Sequence, residues 1–192
     1  MDPKPSSTPS RQALGAGNPS AIIANGYIYV YYVDWNTSYP DAIYVARAPV
    51  SSDGAPGSWE KYYNGSFSQP GLGGLSTAVQ GRPTENDIFS GAPAVSYNTY
   101  LQKYLMVFDS AVGWHYATSA DLVNWTLDNQ IFTFPYNLTT LTTGDTWYDY
   151  PTLISPEQND DRTTSCAGFM YHTRGVWNTT PQTMYRFTAT FP

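Results

Sequence analysis

The chain has 192 residues, a net charge of −6 and only nine Lys plus Arg, so it lacks the clustered cations that a nucleic-acid surface needs to neutralise phosphates. Aromatics make up 16% and charged residues 12%, a profile suited to short strands and many turns, and the length can bury one real core. No apolar run approaches the roughly 18 residues of a membrane-spanning helix.

The start, Met1 to Ser10, is polar and Pro-rich with no apolar signal core, so residues 1–14 read as a flexible tail. The first strand signals follow at Ala21-Ile22-Ile23 and Tyr27 to Val33, joined by Ala24-Asn25-Gly26, the preferred chemistry of a tight hairpin. Ala42 to Ala48 is a third strand and Trp59 to Tyr63 a fourth. A second set runs Ala94 to Tyr97, Tyr104 to Phe108, Trp114 to Thr118 and Trp125 to Leu127. A third runs Thr152 to Ile154, Gly168 to Thr173 and Thr183 to Phe191. A helical period is absent apart from one turn around Ala120 to Val123.

These sets repeat. Each opens with a Pro and a short apolar stretch, at Pro19, Pro93 and Pro151, and continues into an aromatic-rich strand. In the first two, a Ser/Asp turn before a Trp joins the third strand to the fourth: Ser52-Asp53-Gly54-Ala55-Pro56-Gly57-Ser58-Trp59 and Ser119-Ala120-Asp121-Leu122-Val123-Asn124-Trp125. Such Asp and Ser side chains bond the turn's own N–H groups, so Asp53 and Asp121 read as turn formers. Four strands per repeat predict an all-β propeller of four-stranded antiparallel blades, over about 15–75, 90–130 and 147–192.

Cys166 is the single cysteine, so no intrachain disulfide forms, and its neighbours predict a small buried packing residue. Sequons at Asn36, Asn64, Asn124, Asn137 and Asn178 support secretion only weakly in a chain this rich in Asn, Ser and Thr. No His, Cys or carboxylate cluster has the spacing of a dedicated metal site.

The X-Pro opening, the Tyr-Tyr second strand, the third strand of the Tyr44-Val45-Ala46-Arg47 or Tyr116-Ala117-Thr118-Ser119 kind and the Ser-X-Asp-Leu-X-X-Trp turn resemble the five-bladed β-propeller glycoside hydrolases, the group of arabinanases, arabinofuranosidases and β-xylosidases. The resemblance covers about residues 15 to 192 and shows about three blades of the five. It implies an extracellular protein that hydrolyses glycosidic bonds in plant-type or microbial polysaccharides, those containing arabinose or xylose first, with an oligo- or polysaccharide as partner. No cofactor is implied, although a structural cation in the central channel, near His172, fits the resemblance. Open blade edges would favour self-association.

The topology of such propellers brings to one end Asn18, Asp34, Trp35, Tyr39, Asp41, Glu85, Asp87, Asp109, Trp114, Asp145, Trp147, Tyr148, Asp149, His172 and Arg174. Aromatic rings stack on sugar faces and carboxylates accept hydroxyl hydrogen bonds, so Asn18, Trp35, Tyr39, Trp114, Trp147, Tyr148, His172 and Arg174 are the expected substrate-binding residues. Glycoside hydrolysis also needs two carboxylates. The resembled family places its base immediately before a blade-opening Pro, where this chain has Asn18, Ala92 and Tyr150. It places its acid two residues before such a Pro, where this chain has Gly17, Gly91 and Asp149. Asp149 is therefore the first catalytic candidate, with Glu85 and Asp34 in reserve. The non-acidic residues before the prolines keep a second reading open, a carbohydrate-binding propeller without catalysis. A sialidase is disfavoured because no arginine motif for clamping a carboxylate is seen.

Overall fold

The computed structural model describes residues 16–34, 42–80, 90–136, 142–156, 160, 162–177 and 182–191. The chain divides into two compact units, residues 1–91 and 92–192. The tail at 1–14 lies outside the described residues.

The first unit is a five-stranded antiparallel meander of β1 (Ala16–Ala24), β2 (Tyr27–Asp34), β3 (Ile43–Pro49), β4 (Glu60–Tyr63) and β5 (Ser66–Pro70). Asn25-Gly26 turns with φ of 52° and 80°, and Asn64-Gly65 with 46° and 93°, both positive as a primed hairpin turn demands. The second of these turns creates β5, which the sequence reading had not separated. Tyr31, Tyr32 and Val33 of β2 and Ile43 and Val45 of β3 have no exposed surface, so neighbouring residues pointing to opposite faces are buried alike. The Trp59 indole donates to Gly54 O at 2.9 Å and locks the turn that precedes it.

The second unit holds two sheets. One has the order β11-β6-β7-β8-β9, from β6 (Ser90–Asn98), β7 (Lys103–Ser110), β8 (Gly113–Ser119), β9 (Thr126–Thr133) and the two-residue β11 (Thr163–Thr164). The other has the order β10-β12-β13, from β10 (Thr146–Ile154), β12 (Ala167–Val176) and β13 (Thr183–Thr190). β7 with β8, β8 with β9, β10 with β12 and β12 with β13 pair antiparallel, whereas β11 with β6 is a parallel pair fixed by a network in which Asn98 Nδ2 donates to Thr164 Oγ1 at 3.2 Å and to Ser165 O at 2.9 Å. Among the described residues the sheets thus hold five, five and three strands rather than four each. The architecture is the antiparallel all-β fold of propeller blades.

The repeat is visible in the backbone. Asn18, Ala92 and Tyr150, the residues before the three opening prolines, have φ of 51°, 43° and 56°. Proline normally drives its predecessor to extended backbone, and a left-handed Ala or Tyr is strained, so recurrence three times marks one conserved geometry of the repeat rather than local accident. In β1 and β10 the strand register shifts at this point, between Gly17 and Ser20 and between Asp149 and Thr152. The Asp121 turn behaves as expected: Oδ1 accepts from the Val123 and Asn124 N–H groups at 3.0 and 2.8 Å, and Ser119 Oγ accepts from Leu122 N–H at 2.9 Å. Cys166 corrects an expectation. It is exposed, because it sits in the bend before β12 and its neighbours Phe169 and Met170 enter the sheet without it.

Candidate functional site

The second strand of each of the first two repeats ends in a buried acid. Asp34 closes β2 and Asp109 lies at the end of β7, each only 2% exposed. Asp34 pairs in register with Ala16, close to the strained Asn18, in the first unit. Asp109 meets a second carboxyl in the second unit, because β10 packs on β7 and its left-handed step at Tyr150 brings Asp149 to the end of that strand.

The Tyr150 backbone N–H donates to Asp149 Oδ1 at 2.9 Å and reaches Asp109 Oδ2 at 3.4 Å. The two carboxyl groups lie within hydrogen-bonding reach of each other. Two carboxylate anions repel at such a distance, so the contact favours the neutral form of one of them. Burial first, and then the Asp149 hydrogen bond and charge, hold the Asp109 carboxyl well above the usual carboxylate range. The Trp114 indole acts weakly against this rise, yet it falls outside hydrogen-bond geometry, so Asp109 Oδ1 and Trp114 Nε1 are both buried without a partner. Burial and the neighbouring Asp149 carboxyl thus favour the neutral form of Asp109.

Aromatic rings wall the pair. The Tyr136 hydroxyl accepts the Tyr148 N–H at 2.6 Å, and the Tyr148, Phe134 and Tyr136 rings form a stack with centroids 5.1 to 6.1 Å apart. Burial, followed among the raising causes by the charges of Asp109, Tyr148 and Asp149, pushes the Tyr136 phenol up, and burial with Asp149 and Asp109 does the same for Tyr150. Both phenols therefore stay neutral donors beside the acid pair.

Trp114 is the hub of this wall. Its ring lies 5.0 Å from Phe132, 4.6 Å from His172 and 5.9 Å from Phe187. It has no exposed surface, so it packs in the core and presents no face to a sugar, contrary to the expected stacking role. Strand β8 is covered on both faces, which the aromatic alternation alone did not reveal. His172 is also buried, between Trp114, Tyr148 and Tyr185, with Nδ1 at 3.2 Å from Thr173 O. Burial lowers its pKa. Rings rather than oxygens surround it, so the residues present do not fit a channel cation at this position. No group of three or more His, Cys, Asp or Glu that would hold a metal occurs among the described residues.

More open surface lies at the start of β10. Trp147 is half-buried and packs edge-on against Trp177 at 5.4 Å, and Gly175 makes room for it, since a Cβ there would meet Trp147 Nε1 at 2.9 Å. Asp145 holds the preceding turn by accepting from Thr142 N–H and Oγ1, both at 2.9 Å, and these bonds lower its pKa. Arg174 is exposed, with its guanidinium 5.6 Å from the Tyr148 ring and 5.7 Å from Tyr185. Asp149, Trp147, Tyr148, His172 and Arg174 thus lie together on β10 and β12. Asn18 and Asp34 belong to the first unit. Trp35, Tyr39, Asp41, Glu85 and Asp87 lie outside the described residues, as do the sequons at Asn36, Asn137 and Asn178.

The sequence places Asp109 among the residues gathered at one end of the propeller but not among the catalytic candidates. A signal for it exists: it occupies in the second repeat the strand-end position that Asp34 occupies in the first.

No family model and no curated protein sequence matches the chain. Solved structures do match. The catalytic domain of a Coprinopsis cinerea GH62 α-L-arabinofuranosidase superposes with a TM-score of 0.53 at 13% identity, over 92% of this chain and 46% of that one. A Cellvibrio cellulosa α-L-arabinanase complexed with arabinohexaose gives 0.56 at 14% identity, over 90% and 51%. A family 117 glycoside hydrolase from Zobellia galactanivorans gives 0.56 at 13%, over 91% and 52%. The chain spans about half the length of these structures. No helix among the described residues is long and apolar enough to cross a membrane. Strand order, antiparallel pairing and these superpositions together give this chain the β-propeller fold of glycoside hydrolases.

Proposed function

We propose that the chain is a glycoside-hydrolase-like module acting outside the cell on arabinose- or xylose-containing polysaccharide, with the Asp109–Asp149 pair as the proton donor and Asp149 as its more open member. The observation that carries this reading is the acid pair: a buried Asp109 whose carboxyl is held well above the usual range, sharing the Tyr150 N–H with a half-buried Asp149. Protonation of the glycosidic oxygen requires a carboxyl that favours its neutral form, and burial beside a second carboxyl favours that form at Asp109.

The pair works as a single acid. Opposed carboxyls in glycosidases stand about 5–5.5 Å apart for retention and about 6.5–9.5 Å for inversion, to make room for sugar or water. Asp109 and Asp149 are in contact, so they cannot flank a scissile bond. This pair does not itself supply the second carboxylate, which would activate water or attack. Trp147, Tyr148 and Arg174 would bind the sugar.

A second reading is a carbohydrate-binding propeller without catalysis. It is favoured by Asn18, Ala92 and Tyr150, none of which carries an acid where the resemblance leads one to expect a base. Sugar release from arabinan, arabinoxylan and xylan, with Asp149→Asn beside the parent, separates the two. Release that vanishes in the variant supports the hydrolase and its acid. Release that survives discards Asp149. A folded parent that binds these polymers without release establishes the binder.

A further inference from the structure

We propose that Trp114 is the positioning residue of the acid pair: its indole N–H serves Oδ1 of Asp109 and leaves Oδ2 to face Asp149. Asp109 and Trp114 stand directly opposite each other where β7 pairs with β8. Residues so placed leave the sheet on one face, with Cβ atoms about 5 Å apart. Both are buried, at 2% and 0% exposure. Asp109 Oδ1 and Trp114 Nε1 are each buried without a partner among the described residues, and Oδ1 is the single oxygen so placed. A buried indole N–H ordinarily finds an acceptor, and a buried carboxyl oxygen a donor, because neither can turn to water. Here the acceptor lies across one rung of the ladder from the donor.

The indole is not the part that moves. Its ring is held by Phe132 at 5.0 Å, His172 at 4.6 Å and Phe187 at 5.9 Å, the last stacked within 11°. The carboxyl can turn, since the χ2 torsion of Asp has a broad well. Its contact on the other side is long: Oδ2 lies 3.4 Å from Tyr150 N, which bonds Asp149 Oδ1 at 2.9 Å. A small rotation therefore gives Oδ1 the indole N–H at little cost to Oδ2. An indole N–H only donates, so Oδ1 stays an acceptor and the proton of neutral Asp109 is left on Oδ2, on the Asp149 side. The same donor favours the anion, and so opposes burial and the Asp149 carboxyl, which raise the Asp109 pKa. The other titratable groups packed around the pair are Asp149, Tyr148 and Tyr150 of β10, Tyr136, and His172 of β12, with Arg174 and Tyr185 beyond them. Delivery of the proton to a sugar rests on the hydrolase reading; the contact itself does not.

The test is a pH titration of the isotope-labelled full chain by nuclear magnetic resonance, from about pH 3 to 9, following the Trp114 indole N–H and the Asp109 carboxyl carbon. Trp114→Phe identifies the indole among the six tryptophans. The expected result is a downfield movement of the Trp114 indole proton as pH rises, with the midpoint of the Asp109 carboxyl, and loss of that movement in Asp109→Asn. The loss isolates Asp109, because Asp149 and His172, which packs on the same indole, still titrate in that variant. In Trp114→Phe the Asp109 carboxyl should titrate at higher pH than in the parent, since a donor to its anion is gone. An indole proton that stays still in the parent, a movement that survives in Asp109→Asn, or an Asp109 midpoint that Trp114→Phe leaves unchanged or lowers would overturn the proposal. These readouts need no sugar, so a titrating indole in a chain that releases none keeps the contact and discards the hydrolase.

Discussion

Asp109 and Asp149 come from different sheets, on β7 and β10, yet both turn an oxygen to the Tyr150 N–H, at 3.4 and 2.9 Å. One backbone donor cannot neutralise two carboxylates, and the Asp109 carboxyl is held toward the form that carries a proton. That proton ties the pair to pH in two separable ways, through stability and through chemistry.

Stability should respond first. The raised native pKa of Asp109 means that the folded chain binds more protons than the unfolded one between about 4, the ordinary carboxylate value, and the higher native value. Stability from this group is complete below that window and falls as pH rises through it. Asp121 and Asp160 have lowered pKa values and act with the opposite sign, losing stability as pH falls below their unfolded values. Asp109→Asn keeps the shape and removes the titration, so melting temperature between about pH 4 and 8 should decline in the parent and flatten in the variant. Equal slopes in the two proteins would show that Asp109 does not hold the proton.

Chemistry gives a second readout. If Asp149 donates the proton, Asp149→Asn should lower sugar release by at least about 100-fold, the usual contribution of a general acid, while polysaccharide binding persists. Asp109→Asn should leave measurable release but move the alkaline limb of its pH profile, because the raised Asp109 carboxyl would no longer titrate beside Asp149. An unmoved limb would reduce Asp109 to a packing role.

The aromatic wall behind the acids is tested by Trp114. Its indole is fully buried among Phe132, Phe134, Tyr148, His172 and Phe187. Trp114→Ala should cost about 3–5 kcal/mol, within reach of unfolding a marginal domain, whereas Trp114→Phe should cost less and remain folded. Urea unfolding midpoints measure both. A loss below about 1 kcal/mol for the alanine variant would contradict the packing seen here.

Much of this was written in the residues, and the exceptions have physical reasons. The hairpin at Asn25-Gly26 and the turn at Asp121 follow from local chemistry, since the side chains and glycines that make them act within a few residues. Asp149 was legible from its place before Pro151. Its partner was not, because contact between β7 and β10 depends on how two sheets pack, and no short-range pattern encodes that. Trp114 and Cys166 failed for a related reason. An aromatic beside a polar residue reads the same whether a second sheet covers it, as for Trp114, or a bend leaves its neighbour in solvent, as for Cys166.

The strained residues before the opening prolines yield the last prediction. Ala92 holds φ at 43°, where its Cβ crowds the following carbonyl at a cost of about 1–2 kcal/mol, and glycine would relieve that crowding. Glycine also adds entropy to the unfolded chain, which subtracts roughly 0.5–1 kcal/mol from the gain. Ala92 is buried, so loss of its methyl subtracts about 0.8 kcal/mol more. The terms nearly cancel. Ala92→Gly should therefore change stability by no more than about 1 kcal/mol, whereas Gly at an extended buried strand position should cost clearly more than that. Asn18→Gly, at the same place in the first repeat with φ of 51°, should be similarly mild, because asparagine already tolerates the left-handed region. Urea midpoints for the two variants decide the matter. A loss above about 2 kcal/mol in either would show that the left-handed step is not what the repeat requires there.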